Sequence, residues 1–246
     1  IAGPLLLGVT THFCEAGFSA EGALAFMKRH HITNFAAAPT AYRLMKASGL
    51  FDDAHETLEL RAASSAGEPL NTEVVTWVEK SLGCPVMDHY GQTETGMTCN
   101  NHHALDHLKH VGAMGVPMPG YRLAILDAEY KELPAGEPGV LAVDIKNSPA
   151  HFFQGYTWQE KNPFVEGYYL TGDVVIRNED GTFQFAGRDD DIITTAGYRV
   201  GPTDVENSVM THPAVAESAA VGQPDEIRGE VIKSYIVLRE GYEASD

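Results

Sequence analysis

The chain has 246 residues, with 17 Lys and Arg against 34 Asp and Glu, a formal net charge of −17. Contacts to nucleic-acid phosphates or to an anionic membrane need clustered cations, so this balance argues against both as partners, while leaving room for an anionic small ligand held by a local site. At 43% hydrophobic and 21% charged residues the composition is that of a globular chain rather than a disordered one, long enough for one large domain or two smaller ones.

Three cysteines, Cys14, Cys84 and Cys99, are widely spaced and form no CxxC pair, which reads as reduced thiols in a cytoplasmic protein. No apolar run reaches the length of a membrane span. The apolar opening, IAGPLLLGV, lacks the basic flank of a signal peptide. The sequence opens in mid-pattern and without Met, and is read as part of a longer chain.

In chain order, Ser19 is placed to cap a helix running to about His30, with Leu24 and Met27 on one face. Residues 32–38 (ITNFAAA) read as a strand, and Pro39 and Thr40 start a short helix reaching Met45. Residues 61–66 form a strand of small residues. Asn71 caps a helix with Val74, Trp77 and Val78 on one face, and residues 84–90 (CPVMDHY) form a third strand. Strand–helix–strand units of this length imply a parallel sheet with right-handed crossovers, whose ligands sit beyond the carboxyl ends of the strands. Two glycine-containing loops fall there, 67–70 (GEPL) and 91–96.

From about Gly112 the texture changes. Short apolar or alternating runs at 121–126, 140–145 and 183–185 are separated by turn sequences at 134–138 (PAGEP) and 179–181 (EDG), the pattern of an antiparallel β subdomain. After a run of three aspartates, a helix starts at Pro202, and residues 214–221 and 231–238 read as strands. The expected fold is α/β: a parallel sheet with flanking helices plus an antiparallel β subdomain, then the start of a small α+β domain. The expected division is 1–189, comprising α/β to about 110 and β from about 111, and 190–246.

The segment 88–96 (DHYGQTETG) carries the chemistry. A strand ends there, Gly91 permits close backbone approach, Thr93 can donate a hydroxyl to a phosphate oxygen, and Glu94 can hold Mg²⁺ through a carboxylate. On spacing alone the same residues would also serve as a polar turn. Three further segments stand with it: 65–70 (SAGEPL), 169–173 (YLTGD), and 187–199 (GRDDDIITTAGYR) followed by 201–206 (GPTDVE). Together, and in this order, they resemble the motifs of the adenylate-forming superfamily of acyl-CoA synthetases, luciferases and peptide-synthetase adenylation domains. The texture is most similar to AMP-forming medium-chain acyl-CoA synthetases.

The resemblance implies an ATP-dependent acid–thiol ligase acting on a small carboxylic acid, with ATP, Mg²⁺ and coenzyme A as cofactors. Gly67, Glu68 and Pro69 resemble the loop on adenine and ribose. Asp88, His89, Tyr90, Gly91 and Gln92 fall at the strand end beside the base. Thr93 matches the α-phosphate contact and Glu94 the Mg²⁺ carboxylate, the two positions expected to be catalytic. Asp173 matches the aspartate that accepts both ribose hydroxyls, and Arg188 the arginine that reaches the ribose; a carboxylate suits a vicinal diol and a guanidinium offers a rigid donor fork. Asp190 aligns with the hinge between two catalytic poses, in a run of mutually repelling carboxylates. Gly197, Tyr198 and Arg199 fall where relatives line the pantetheine tunnel. Acetate-using relatives carry Trp where Gly91 stands, so Gly91, with Ala66, implies an acyl pocket for a medium-chain or aromatic acid. The alternatives within and beside this reading are a carrier-loading adenylation domain or acyl-AMP ligase, and a non-catalytic nucleotide-binding fragment.

The superfamily's Ser/Thr/Gly-rich phosphate loop and its late catalytic lysine have no match in these residues; Lys233 lies inside an expected strand and does not fit the motif. The 246 residues alone are therefore expected not to turn over. His103 and His107 stand four apart, as helical metal ligands do, but with His102 and His110 they read as a polar loop.

Overall fold

The computed structural model describes residues 2–14, 17–103, 105–110, 112–157, 162–225, 227–239 and 241–244. The chain divides into two compact units, one of Ile1–Ser64 and Glu73–Val86, the other of Ser65–Thr72 and Met87–Asp246.

The first unit is built from helices and the starts of strands. Its elements are α1 (Ala2–Leu6), α2 (Ala20–His30), β1 (Asn34–Ala37), α3 (Pro39–Ala47), the beginning of β2 (Ala62–Ala66) and most of α4 (Thr72–Leu82). Ser19 caps α2 as its position in the sequence predicts, its Oγ accepting the Gly22 N–H at 3.0 Å. Such a cap satisfies one of the backbone donors that a helix start leaves open. Pro39 opens α3, where a missing N–H costs nothing. Tyr42 and Met45 of α3 are buried, as are Val74, Trp77 and Val78 of α4, the expected apolar stripe. The Tyr42 hydroxyl donates to the Ser64 carbonyl at 2.9 Å and ties α3 to the strand. The N–H groups of Arg61 and Ala62 donate to the Thr33 carbonyl, and that of Ala63 to the Pro85 carbonyl. These residues sit at or just before the starts of three successive strands. Starts bonded side by side mean strands running the same way, as the helical connections require.

The second unit carries β3 (Val86–Gln92), β4 (Gly96–Asn100), β5 (Ala113–Pro117), β6 (Leu123–Leu126), β7 (Pro138–Asp144), β8 (Phe164–Val165), β9 (Tyr168–Arg177) and β10 (Phe183–Arg188). Its sheet runs in the order β3-β4-β5-β10-β9-β7-β6, with β8 beside β9. The paired strands are antiparallel. Cys99, Met114, Leu123, Ile125, Leu141, Val143, Tyr169, Val175 and Phe183 form its buried core. A second antiparallel sheet, ordered β12-β11-β14-β13, is made by β11 (Ile193–Thr195), β12 (Tyr198–Val200), β13 (Val215–Asp225) and β14 (Gly229–Leu238), with α5 (Pro202–Met210) between β12 and β13.

The α/β reading therefore holds, with three local differences. The strand read as 84–90 continues to Gln92, and residues 93–95 turn it into β4, so 91–96 is the tip of a β-hairpin rather than an open loop. The TGD segment lies inside the ten-residue strand β9. The final two strands are longer than read and pair along their whole length. β4 is also held unusually close on both sides. A Cβ on Gly91 would lie 2.1 Å from the Gly96 carbonyl oxygen, and one on Gly115 of β5 would lie 2.1 Å from that of Asn100. Only a residue without Cβ fits at either place.

All three thiols are free; Cys14 is exposed, while Cys84 and Cys99 are buried. No helix is long and apolar enough to cross a membrane.

Candidate functional site

All the site residues singled out in the sequence lie in the second unit. The site is organised by the alternation of β9. Successive residues of a strand point to opposite faces, so positions two apart share one. Tyr169, Thr171 and Asp173 occupy one such face and are 3%, 7% and 5% exposed. Three polar side chains in a row inside a core need partners, since an unpaired buried donor or acceptor costs about 1–3 kcal/mol.

The partners come from β3 and β10. The Gln92 amide nitrogen donates to the Thr171 carbonyl and to Asp173 Oδ2, both at 2.9 Å. Its amide oxygen accepts from the Tyr169 hydroxyl at 3.0 Å. The Tyr90 hydroxyl donates to the same Asp173 Oδ2. Thr171 Oγ1 donates to the Leu141 carbonyl and accepts the Asp173 N–H. From β10, Arg188 stands opposite Asp173 in the strand register and donates from Nη1 to Oδ1 at 3.1 Å. Burial, then the neighbouring Asp173 carboxylate, hold the Tyr90 phenol well above its ordinary value, so it acts as a donor. An ionised carboxylate has about four acceptor positions. Among the described residues Oδ2 takes two donors and Oδ1 one, so the open position is on Oδ1, on the side guarded by Arg188.

Beyond Gln92 the chain makes its hairpin turn, which places Thr93 in solvent and Glu94 half-buried beside it. Glu94 Oε1 accepts from the Tyr156 hydroxyl at 2.6 Å. The Thr95 side chain, fully buried, accepts the Gln92 N–H and holds the turn. Gln92, Thr93, Glu94, Tyr156, Tyr169, Thr171 and Arg188 are among the residues lining an open groove of ≈ 1020 Å³.

Gly67, Glu68 and Pro69 are exposed just past β2, and Ala66 is its half-buried last residue. The Asp88 carboxyl is linked to this loop. It accepts the His89 N–H at 3.1 Å and the N–H of Leu70, yet burial outweighs both and pushes it up to about 7. His89 is lowered from its ordinary value, first by burial.

The three-aspartate run is a tight turn after β10, and it is not left to self-repulsion. Arg199 Nη2 pairs with Asp189 at 3.0 Å, and Arg188 Nε reaches Asp190 at 3.4 Å. Arg188 thus touches both Asp173 and Asp190. Gly197 lies in the β11–β12 turn, and Tyr198 beside it is 72% exposed.

Gly91, read as leaving space in an acyl pocket, has its Cβ direction filled by the backbone of β4. The absence of a side chain there serves the strand contact. Three of the four histidines brace their loop: the His102 N–H donates to His107 Nε2 at 2.9 Å, and His110 pairs with Asp180. Among the described residues no group of three or more His, Cys, Asp or Glu side chains could hold a metal ion.

Tyr156, Thr171 and Tyr169 escape sequence reasoning as site residues. Tyr169 and Thr171 sit within a motif read only for its aspartate. Tyr156 stands 62 positions from Glu94, and no spacing rule connects the two.

Residues 1–157 match the model of the AMP-binding enzyme family, and residues 204–246 that of the AMP-binding enzyme C-terminal domain. The chain is 41% identical to 4-hydroxybutyrate–CoA ligase 1 of Metallosphaera sedula over 97% of its own length and 43% of that protein's. It is 39% identical to the acetyl-coenzyme A synthetase of Bacillus subtilis, over 100% of this chain and 43% of the relative. The crystal structure of a Brucella canis acyl-CoA synthetase superposes with a TM-score of 0.73 at 48% identity, covering 98% of this chain and 45% of that one. The chain thus spans less than half the length of these relatives.

Proposed function

The chain belongs to the AMP-binding enzyme family, and from that membership we propose that the complete protein is an AMP-forming acyl-CoA synthetase. A small carboxylic acid attacks the α-phosphate of ATP through a carboxylate oxygen. Pyrophosphate leaves and acyl-AMP forms. The thiol of coenzyme A then attacks the acyl carbonyl, and AMP leaves. The observation that carries the reading is the convergence of Tyr90, Gln92 and Arg188 on buried Asp173, directly beside the Thr93–Glu94 turn.

In this reading Asp173 accepts the ribose hydroxyls. Arg188, its side chain 48% exposed, swings from Oδ1 to the nucleotide as they arrive. Gly67, Glu68 and Pro69, with Asp88, His89 and Tyr90, take the adenine side. Thr93, exposed at the turn, donates to an α-phosphate oxygen. Glu94 offers the hard oxygen donor that Mg²⁺ prefers, and the ion when bound neutralises phosphate charge. Gly197, Tyr198 and Arg199 take the pantetheine arm, and Ala66 the acyl end. Asp190 is the hinge of a small domain that begins near residue 190, and the three free thiols favour a cytoplasmic setting.

The test uses the full-length protein. Acid-dependent exchange of pyrophosphate into ATP, followed by release of acyl-CoA, is expected for at least one acid in a panel from acetate to aromatic acids. No exchange with any acid overturns the reading. Exchange with transfer only to a carrier-protein thiol reassigns the protein as a carrier-loading adenylation domain.

A further inference from the structure

Gln92 is a primary amide, and its two ends differ in chemistry but hardly in shape. Nothing in its own rotamer decides which end faces Asp173. If the oxygen faced Asp173 and the Thr171 carbonyl, three acceptors would meet and repel. Asp173 and the Thr171 carbonyl therefore hold the nitrogen on their side, and Tyr169 secures the other end. Its hydroxyl donates to Gln92 Oε1 at 3.0 Å. That nitrogen then donates to Asp173 Oδ2 and to the Thr171 carbonyl.

Tyr169 is itself held rigidly. It is 3% exposed, and three rings surround it: Phe153 at 5.6 Å edge-on, Phe164 at 5.7 Å and His151 at 5.7 Å between centroids. Burial raises its phenol, so the proton stays on the oxygen and the group remains a donor at neutral pH.

We propose that Tyr169 is a positioning residue for nucleotide recognition. Through the fixed Gln92 amide it turns the Asp173 carboxylate so that Oδ2 is occupied by protein donors and Oδ1 is presented to a vicinal diol. This deepens the acyl-CoA synthetase reading and rests on it, because the diol is the ribose of ATP. In this proposal Tyr169 acts through Gln92, so its signature is selective. Losing the hydroxyl weakens ATP and leaves the acid and the chemical step nearly as they were.

The test is Tyr169→Phe in the full-length protein, which keeps the ring and its packing and removes only the donor. In acid-dependent pyrophosphate exchange the KM for ATP is expected to rise about 5- to 10-fold, the range of one lost hydrogen bond. The KM for the acid and kcat should change less than twofold. Wild type should discriminate against 2′-deoxy- and 3′-deoxy-ATP, and Tyr169→Phe should discriminate several-fold less, an effect that general loosening of the core would not produce. In a Gln92→Ala background the same substitution should add less than twofold. An unchanged ATP KM, an unchanged preference for the diol, or equal rises in both KM values overturns the proposal. Should wild type exchange with no acid, the parent reading fails instead. ATP-analogue binding to Tyr169→Phe by calorimetry then still decides the positioning role: it requires affinity about 5- to 10-fold below wild type, and equal affinity overturns it.

Discussion

Arg188 and Asp173 are register partners across β9 and β10, and the guanidinium covers the one open acceptor position of a carboxylate that is otherwise sealed in protein. A pair placed like this acts as a cover as well as a clamp, since Arg188 is half in solvent and also reaches Asp190. Replacing Arg188 by Ala leaves the buried charge without its cation. Hydrogen bonds to charged groups contribute about 1.5–3 kcal/mol, so ATP KM in the full-length protein should rise roughly 10- to 100-fold. Steady-state kinetics against ATP checks this; a change within twofold would remove Arg188 from the site.

The Glu94 carboxylate should matter more for rate than for binding. Glu94→Gln keeps shape and loses charge, and adenylation is expected to fall on the order of 100-fold or more, the scale of removing a preorganised electrostatic group. The Mg²⁺ concentration for half-maximal rate should rise as well. Tyr156→Phe removes one donor to Glu94 and is expected to cost only about 5-fold. If Glu94→Gln retains its Mg²⁺ dependence and its rate, Glu94 is a turn residue and nothing more.

Asp88 makes stability depend on pH in an unusual direction. Its folded value, raised to about 7 by burial, lies above the 3.8 of the free side chain. The folded state therefore keeps a proton that the unfolded state has already released, and stability falls as pH rises from about 4 to about 7. Asp88→Asn should flatten that part of the profile. Its advantage over wild type should be on the order of 2 kcal/mol at pH 8 and should vanish near pH 4. Urea midpoints at the two pH values measure it; a constant difference between wild type and variant would show that Asp88 does not titrate in this window.

Gly91→Ala pushes a methyl carbon into the Gly96 carbonyl. The cost is expected to be about 1–3 kcal/mol, read as a lower melting temperature. Gly17→Ala, which meets no atom within 4 Å, serves as the neutral control. Equal melting temperatures for the two variants would mean that β4 yields easily.

What could be read from the sequence was what local chemistry decides. Ser19 announces a helix start because a hydroxyl there satisfies an open N–H, and the 74–77–78 stripe shows its period. β9 was hidden because Thr171-Gly172-Asp173 is turn chemistry by composition; only pairing with β7 and β10 makes it a strand. The site split in the same way. Asp173, Arg188, Gln92, Thr93 and Glu94 stand in contiguous motifs, whereas two of the contacts that hold them, Tyr169 to Gln92 and Tyr156 to Glu94, span 77 and 62 positions. The strand contact of Gly91 was hidden for a similar reason, since a missing side chain looks like space until the neighbouring strand is seen.

That strand is gripped at both edges by the same device, a missing side chain. At one edge the Gly96 carbonyl oxygen occupies the place of a Cβ on Gly91, and at the other the Asn100 carbonyl oxygen occupies that of a Cβ on Gly115. Transplanting residues 91–100 into another scaffold would then succeed only where the strand on the far side also offers a glycine, as Gly115 does here.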